Sequence, residues 1–457
     1  MKSILLILLA FLSLGCRQSV PSSEKDILFA DVSVLNLSDG SLLEHRYVEI
    51  QSGVITGIFS APPEGISYTT EIDGKGKFLM PGLAEMHAHI PSPPASREHV
   101  EETLLLYLSN GITTIRGMLG HPSHLELRQQ VEKGEVLSPR IFTSSPSLNG
   151  NSVRTRGEAR AKVTQYQKEG YDFLKIHPGI QREVFDALVA TAREVGIPFA
   201  GHVPVDVGIR QALNSGYASI DHVDGYLEGL VPQNAGVNPA ANGFFGYNFT
   251  GLADTTLIPS LVSLTRENKV WIVPTQSLFE RWFAPVSADV LLKDPEMQYM
   301  PVTTLTNWKI RKEQSTAPAT GFTEEGWERF NTIRQKLIKA LSEGGHGMLL
   351  GSDAPQLFNV PGFSIHHEIR GLEEAGMSRL EILRSGTVNP AQFFGKEDTF
   401  GKVAEGLEAD LILLSENPLD DLEALKKPEG IMVRGKWLDR KTLDKKLNVI
   451  ANSVKNR

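Results

Sequence analysis

The order of apolar and polar positions divides the chain into two β-rich ends and a mixed middle. Short aliphatic and β-branched runs separated by turn residues predict strands over residues 27–80, and the same pattern returns over residues 396–440. Two β-rich ends around a mixed middle predict one small β-sandwich assembled from both ends of the chain. Residues 441–457 are assigned to a C-terminal tail.

The middle, residues 81–395, alternates strand-like and helix-like segments, the pattern of a parallel α/β fold. Apolar residues at helical spacing predict a helix over residues 181–195, and Thr323 followed by two acids predicts the start of another. Eight strand–helix repeats predict a (β/α)8 TIM barrel, in which functional residues lie at the C-terminal ends of the strands. The eight apolar runs read as strands are 83–89, 113–118, 140–146, 173–177, 198–203, 219–223, 270–275 and 348–353.

Two spacers in this middle region are longer than a plain barrel needs. Residues 226–262 are rich in Gly, Asn and Phe, and residues 277–322 carry two tryptophans and several prolines. Long loops in compact domains tend to be functional or mobile. Both spacers are candidates for a lid over the barrel mouth, and surface insertion without a role is the alternative.

The first residues differ from the globular remainder. A lysine is followed by the unbroken apolar run of residues 4–12, which is too short to span a bilayer of ~30 Å and is typical of a secretion signal. Cys16, the only cysteine of the chain, follows Gly15 in a pattern that resembles a bacterial lipobox, with Ser13 where Leu is usual. We therefore expect residues 1–16 to be a lipoprotein-type signal, with lipidation at Cys16 and residues 17–26 as a tether. An ordinary cleaved signal with an incidental cysteine is the alternative.

This interpretation places the protein in the bacterial cell envelope, in the periplasm or on the outer surface, with membrane contact only through a lipid anchor. A single cysteine excludes an internal disulfide. The apolar fraction of 41% is enough for a large buried core. The net charge is −8 and basic residues are not clustered, which argues against nucleic-acid binding. The sequence does not indicate an oligomeric state.

Polar side chains that can bind metal recur where the predicted strands end. His87 and His89 are two residues apart, so on a strand both imidazoles point to one face and can bind one ion. Lys175 lies inside an apolar run, where a lone ammonium is costly and requires a partner or a modification. The six candidates occur in order along the barrel: His87, His89, Lys175, His202, His222 and Asp353.

With these residues the chain resembles the amidohydrolase superfamily, and within it the prolidase-like and imidazolonepropionase-like branch. The resemblance also rests on Pro81-Gly82 before the two histidines, on the strand 111–116 and on the tail that begins at Asn389-Pro-Ala. Glu85 stands where Asp is common in the family. The resemblance covers nearly all of residues 27–440.

The resemblance implies a binuclear metal site with the following ligand set. One divalent ion is held by His87, His89 and Asp353, a second by His202 and His222, and a CO2-derived carbamate on Lys175 bridges them. Zinc is the expected metal, since it suits imidazole and carboxylate ligands. A metal-bridging hydroxide would attack the carbonyl of a small-molecule amide, dipeptide or cyclic amide, with Asp353 as general base and then general acid.

Other functions remain open at this point. A mononuclear deaminase of the family usually carries Glu three residues after the fifth-strand histidine, where this chain has Val205. Hydrolysis of an ester or a lactone on the same metals is another alternative. From a different class, the barrel could be a catalytically silent envelope lipoprotein that only binds a ligand, although all six ligand positions are filled.

Four further residues are candidates for substrate contacts. Arg116 and Tyr226 could touch a substrate carbonyl or carboxylate. His177 lies two residues after Lys175 and so on the same strand face, where it contacts either substrate or a ligand. His367 follows the eighth predicted strand and could reach the substrate, or be structural.

Overall fold

The structure is a computed structural model, and it describes residues 24–455. Residues 1–16, with the predicted lipidation site Cys16, and most of the predicted tether lie outside this range. No helix within residues 24–455 is long and apolar enough to cross a membrane.

Sixteen strands are present in residues 24–455. They are β1 (Glu24–Asn36), β2 (Ser41–Gln51), β3 (Val54–Phe59), β4 (Ser67–Asp73), β5 (Phe78–Pro81), β6 (Leu83–Ala88), β7 (Ile112–Gly117), β8 (Arg140–Thr143), β9 (Leu174–Ile176), β10 (Phe199–Gly201), β11 (Ser219–Asp221), β12 (Trp271–Val273), β13 (Gly347–Met348), β14 (Leu411–Leu414), β15 (Gly430–Val433) and β16 (Lys436–Asp439).

The strands from the two chain ends form one eight-stranded sheet in the order β16-β15-β14-β5-β1-β2-β3, with β4 paired to β1. The C-terminal strand β14 pairs antiparallel with β5, so that Leu411 lies opposite Pro81 at the entry to β6. Alternate apolar residues of β1, such as Phe29, are buried in a separate core of this sheet. Assembly from both ends is thus observed, whereas a sandwich of two packed layers and the domain boundaries stay predictions.

The strands β6 to β13 are parallel and lie in two sheets, β6-β7-β8 and β13-β12-β11-β10-β9. Backbone contacts join the edges of these sheets. Ser144, after β8, bridges to Phe173 before β9, and Ala88 of β6 bridges to Ala354 after β13. Each of the eight runs read as a strand from sequence overlaps one of these strands. Their carboxyl ends therefore face one side of the molecule.

Fifteen α-helices surround these sheets within residues 24–455. They are α1 (Arg97–Ser109), α2 (Pro122–Glu132), α3 (Arg156–Glu169), α4 (Arg182–Val195), α5 (Ile209–Asn214), α6 (Tyr226–Gly229), α7 (Ile258–Glu267), α8 (Gln276–Phe283), α9 (Ala288–Leu291), α10 (Val302–Ser315), α11 (Glu324–Gly344), α12 (Ser364–Glu374), α13 (Arg379–Ser385), α14 (Val388–Phe394) and α15 (Arg440–Val454). Short 3-10 helices include Gln233–Ala235, Pro239–Ala241, Phe244–Phe249, Thr255–Leu257, Pro295–Tyr299, Pro318–Thr320 and Leu422–Lys426.

The helices predicted from sequence are present. In α4 the apolar side chains at helical spacing, among them Phe185 and Leu188, are buried. The hydroxyl of Thr323 accepts a hydrogen bond from the backbone N–H of Gly326 and caps α11. The assigned tail forms helix α15 as far as Val454, with Asp439 as its N-cap and the apolar side of the helix buried.

The two long spacers differ from the expectation of loops, because both are largely helical. Residues 226–262 contain α6 and the start of α7, and residues 277–322 contain most of α8 and all of α9 and α10. Helix α10 is polar along most of its length, so its apolar periodicity is weak. It is held by buried Trp308, whose ring packs on Phe358.

Candidate metal centre

The six predicted ligands lie together at the carboxyl ends of the parallel strands. His87 is in β6, and Lys175 is in β9. His202 and His222 directly follow β10 and β11. The arrangement follows from parallel pairing, because parallel strands bring their carboxyl ends to one edge. Asp353 follows β13 and completes the set.

Asp353 lies close to both histidines at the end of β6. Its Oδ1 lies 2.6 Å from Nε2 of His89 and 3.6 Å from Nε2 of His87. One ligand atom of each of the three residues lies within 4.8 Å of the others, which is close enough to surround one ion. Gln356 Nε2 donates to Asp353 Oδ1 over 2.9 Å and fixes the carboxylate.

The second pair of histidines lies beside the first. The ring centroids of His202 and His222 are 4.5 Å apart, and those of His87 and His222 are 4.6 Å apart. His222 Nδ1 bonds to Thr275 Oγ1 at 2.8 Å, and His202 Nδ1 bonds to a carboxylate oxygen of Asp224 at 3.1 Å. These bonds orient both rings and leave Nε2 of each for another ligand.

Lys175 is fully buried at the bottom of this cluster. Within residues 24–455 its Nζ makes no hydrogen bond, although Oδ2 of Asp221 lies 3.5 Å away. Burial lowers the pKa of the Lys175 amine, while the charge of Asp221 acts in the opposite direction. The neutral form of the amine is therefore more favoured at Lys175 than at an exposed lysine.

A buried ion pair supports the ligands from below, and sequence reasoning did not identify its acid. Arg116 donates from Nη2 to Asp221 Oδ1 over 2.9 Å and from Nε to the carbonyl of Met86 over 2.7 Å. The other oxygen of Asp221 lies 3.2 Å from Nδ1 of His87. The signal that could have found it is the pair Ser219 and Asp221, which lie on one face of an otherwise apolar strand.

Glu85 connects the strand of the two histidines to the segment that carries Asp353. Its carboxylate accepts hydrogen bonds from the backbone N–H of His87 at 3.1 Å and of Ser352 at 2.8 Å, and from the hydroxyl of Ser352 at 2.6 Å. Burial raises the pKa of Glu85 to about 8, against the effect of these donors. Glu85, which stands where Asp is common in the family, is thus buried and joins the two segments by hydrogen bonds.

Two ligands adopt a backbone conformation that only glycine visits readily. His222 has φ of 66° and Asp353 has φ of 64°. Each such residue costs about 1–3 kcal/mol, and residues of this kind concentrate at functional sites. The backbone N–H of Asp353 donates to the carbonyl of His87 over 3.0 Å, which holds this conformation in place.

The four predicted substrate contacts fall in different places. Arg116 and Tyr226 have no exposed surface, and the Tyr226 hydroxyl bonds to Thr265 Oγ1 at 2.6 Å, so neither offers a surface that a substrate could touch. His177 lies at the site, since its ring stacks on His202 at 4.9 Å. His367 bonds through Nε2 to Glu296 at 2.7 Å.

A cleft of about 820 Å³ opens beside the ligands, and His202 forms part of its wall. The other wall residues come mainly from the segments 203–211 and 224–245. Phe245 lies where the cleft meets the histidines, with its ring centroid 5.6 Å from that of His222. The Gly- and Phe-rich composition of this stretch was the available sequence signal.

The donor set and its unsatisfied atoms fit metal ions. Nδ1 of His89, Nζ of Lys175 and Oδ2 of Asp221 are buried without a hydrogen bond in residues 24–455, and such atoms are rare in folded proteins. Burial lowers the pKa of His87 and of His222 well below the ordinary value, which favours the neutral imidazole that a metal ligand requires.

Residues 78–438 match the amidohydrolase family. The chain belongs to this family. It is therefore a hydrolase that acts on carbon–nitrogen bonds, and its fold is a TIM-barrel-like α/β fold, as the sequence motifs predicted. The family generally uses divalent metals, in agreement with the histidine and aspartate group described above.

Several known proteins are similar to this amidohydrolase along most of its length. Ochratoxinase of Aspergillus niger is 20% identical over 453 residues, which cover 90% of this chain and 86% of that one. The structure of bottromycin amidohydrolase superposes with a TM-score of 0.71 at 24% identity, covering 93% and 90% of the two chains. A putative prolidase from Bifidobacterium longum gives a TM-score of 0.65 at 23% identity, covering 93% and 98%.

Proposed function

We propose that this amidohydrolase is a metal-dependent enzyme that cleaves the C–N bond of a small amide, a dipeptide or a cyclic amide. The observation that carries the proposal is the convergence of His87, His89 and Asp353, with donor atoms within 4.8 Å, beside the buried amine of Lys175, which makes no hydrogen bond in residues 24–455. We take the eight parallel strands to act as a closed (β/α)8 barrel that holds this site.

In this proposal His87, His89 and Asp353 hold one divalent ion, and His202 and His222 hold a second. The donor set of imidazole nitrogen and carboxylate oxygen favours zinc. When bound, such ions supply a water of lowered pKa and polarise the scissile carbonyl. The proton transfers are carried out by a side chain of the protein.

Asp353 is proposed as the general base and then the general acid. It accepts a proton from the attacking water, and the new C–O bond forms as the amide C–N bond breaks. Asp353 gives this proton to the amide nitrogen as the C–N bond breaks, so that the nitrogen leaves as a neutral amine and the other product is a carboxylic acid. Its carboxylate is fixed by Gln356 and by its own restrained backbone, which preorganises it for both transfers.

Lys175 is proposed to carry a carbamate between the two ions. A neutral amine adds to CO2 with formation of one N–C bond and release of one proton to water. Burial of Nζ supports this step, because it lowers the pKa of the amine. The carbamate would then supply two anionic oxygens where an ammonium would repel the ions.

Deamination is less well supported by the residues around the cleft. At Val205, where a deaminase of the family usually carries Glu, the side chain is apolar and forms part of the cleft wall. A valine side chain cannot move a proton to a leaving amino group.

We also propose that the enzyme is exported and held at the bacterial envelope through Cys16. The apolar run of residues 4–12 followed by Gly15-Cys16 supports this proposal. Radiolabelled palmitate should enter the full-length chain in a bacterial host, and Cys16→Ala should abolish labelling. Labelling that persists in Cys16→Ala contradicts the assignment.

Metal content is the direct test of the hydrolase proposal. Protein purified without chelator should contain close to two zinc ions per chain, and Lys175→Ala and Asp353→Ala should both lose activity by roughly 10²–10⁴-fold. A panel of N-acyl amino acids, Xaa-Pro dipeptides and cyclic imides provides the substrates. His45→Ala is the control, since His45 is exposed and distant in sequence from every ligand.

Protein that holds no metal when purified in this way contradicts the proposal. Ammonia release without amide hydrolysis would favour a deaminase, and cleavage of esters or lactones alone would favour that alternative. Metal-loaded protein that binds members of the panel without cleaving them would identify a binding protein.

A further inference from the structure

The cleft beside His202 is predominantly apolar. Its volume of about 820 Å³ lies within the range of pockets that enclose most of a drug-sized ligand. Because His202 is both a proposed metal ligand and a wall residue, a molecule in the cleft lies next to the reacting centre. The apolar side chains that matter below are Val203, Pro204, Val205, Ile209, Phe244 and Phe245.

Phe245 occupies the junction between this cleft and the histidines. Its ring centroid lies 5.8 Å from that of His202 and 5.0 Å from that of Phe279. Its backbone has φ of 48° and ψ of 42°, a left-handed conformation that a bulky residue rarely adopts. Residues in such conformations persist only when their surroundings hold them, and they concentrate at ligand clamps.

Contacts on both sides hold Phe245 in this position. Asn242 donates to Glu228 Oε1 over 2.7 Å and ties the segment to α6. At Gly246 the backbone has φ of 82°, where a residue with a Cβ atom would be strained, and that Cβ atom would lie 2.9 Å from a side-chain carbon of Leu227. Phe244 packs on Phe283 with centroids 4.1 Å apart. The Phe245 ring is therefore a fixed wall of the cleft.

The charges around the cleft exclude one class of ligand from its inner part. Asp224 and Glu228 are the acidic wall residues, and Arg210 is an exposed basic residue. A carboxylate or phosphate group bound beside Asp224 and Glu228 would meet one or two like charges, since burial raises the pKa of Glu228 to about 7. A neutral apolar group would bury its surface there without this cost.

We propose that the cleft binds a bulky, uncharged apolar group of the substrate. Phe245, whose ring lies where the cleft meets the histidines, is the specificity-determining residue for this group. The inference rests on the proposed amide hydrolysis and deepens it. It defines the substrate class as amides that carry a large aromatic or branched aliphatic group on one side of the cleaved bond.

Two matched pairs of amides test the proposal on the zinc-loaded enzyme. N-Acetyl-alanine is compared with N-(2-naphthoyl)-alanine, which enlarges the acyl side, and with N-acetyl-phenylalanine, which enlarges the amine side. In at least one pair, kcat/KM for the bulky member should exceed that for the small member at least tenfold, since even one methylene in an apolar pocket is worth roughly 10–200-fold.

Variants connect this preference to the cleft. Val205→Trp fills part of the cleft, and Phe245→Ala removes its inner wall, so each should lower the bulky-to-small ratio by about tenfold, mainly through KM. The control is Val449→Trp on α15, an exposed valine outside the cleft, which should leave the ratio unchanged. Ratios near one in both pairs, or equal losses on both members of a pair in Val205→Trp, overturn the proposal.

A binding measurement separates this proposal from the catalytic one. The uncharged probe 2-naphthylacetamide should bind the metal-free protein in calorimetry, and Val205→Trp should weaken binding at least tenfold while Val449→Trp does not. Failure of the zinc-loaded enzyme to cleave any amide, with this binding pattern intact, would refute the hydrolysis and retain the cleft. Probe binding that is absent, or equal in all three proteins, would refute the cleft assignment.

Discussion

Two groups of histidine and carboxylate lie in residues 24–455 with ligand atoms within 4.8 Å of one another. They differ in whether an arginine of the protein contacts the carboxylates of the group. In the group of His87, His89 and Asp353 the buried Nδ1 of His89 has no hydrogen bond in this part of the chain. The second group is that of Asp294, Glu296 and His367 in the region of α9 and α12.

The second group already contains a cation. Arg281 Nη2 lies 2.6 Å from Asp294 Oδ2 and 4.0 Å from Glu296 Oε1. Burial raises the pKa of Glu296, but the hydrogen bond from His367 and the charges of His367 and Arg281 lower it overall. The residue types and the distances between ligand atoms are thus similar in the two groups. The second group is a structural ion-pair network because the guanidinium of Arg281 neutralises its carboxylates.

The largest expected effect separates the two groups at their histidines. His87→Ala should reduce the zinc content and lower kcat/KM on the order of 10³-fold, because several kcal/mol of transition-state stabilisation depend on the metal. His367→Ala should keep its zinc and its kcat/KM within about twofold. Metal analysis and steady-state kinetics on the amide panel measure both.

The control for this pair is folding. Circular dichroism of His87→Ala should match that of the unaltered protein, since the imidazole lies at a strand end and its removal leaves the apolar core intact. If His367→Ala loses zinc or activity as severely as His87→Ala, the comparison is wrong and the second group takes part in catalysis.

The strand ends could be predicted from sequence because parallel strands bring their carboxyl ends to one edge. For that reason His87, His202 and Asp353, which are far apart in the chain, were expected together and lie together. Strand β1 and helix α4 were also predictable, since their buried apolar residues recur at the spacing of a strand and of a helix.

What could not be predicted depends on long-range contacts and on unusual backbone conformations. Asp221 shares a strand face with Ser219, a pattern visible in the sequence, but its contacts with Arg116 and His87 on other strands could not be predicted. Phe245 lies in a stretch where positive φ angles interrupt any periodicity. Helix α10 has a mainly polar sequence and is held by tertiary packing.

An intermediate effect tests the support beneath the first group. Asp221→Asn keeps the shape of the side chain but removes the charge between His87 and Lys175. Loss of such a supporting residue typically lowers metal affinity 10–100-fold. Breaking the buried pair with Arg116 should also cost about 3–5 kcal/mol of stability.

Two measurements on Asp221→Asn distinguish these effects. Zinc affinity comes from competition with a chelating dye, and stability from urea unfolding of the metal-free protein. Asp294→Asn is the matched control, since it also removes a carboxylate from an arginine but should leave zinc affinity unchanged. Unaltered zinc affinity in Asp221→Asn, with lower stability alone, would show that Asp221 only holds the fold.

The smallest expected effect is a gain of binding in the second group. Arg281→Met removes the guanidinium and leaves two carboxylates and one imidazole facing each other, a donor set that suits zinc. The variant should be less stable than the unaltered protein without zinc, because it loses a buried charge partner. Zinc at 100 times its dissociation constant should restore about 2.7 kcal/mol of the free energy of unfolding.

The measurement for Arg281→Met is urea unfolding with and without zinc, together with equilibrium dialysis for one additional ion per chain. Arg281→Met combined with His367→Ala should lose this gain. An Arg281→Met variant that binds no more zinc than the unaltered protein would show that the geometry of the second group, and not the guanidinium, prevents metal binding.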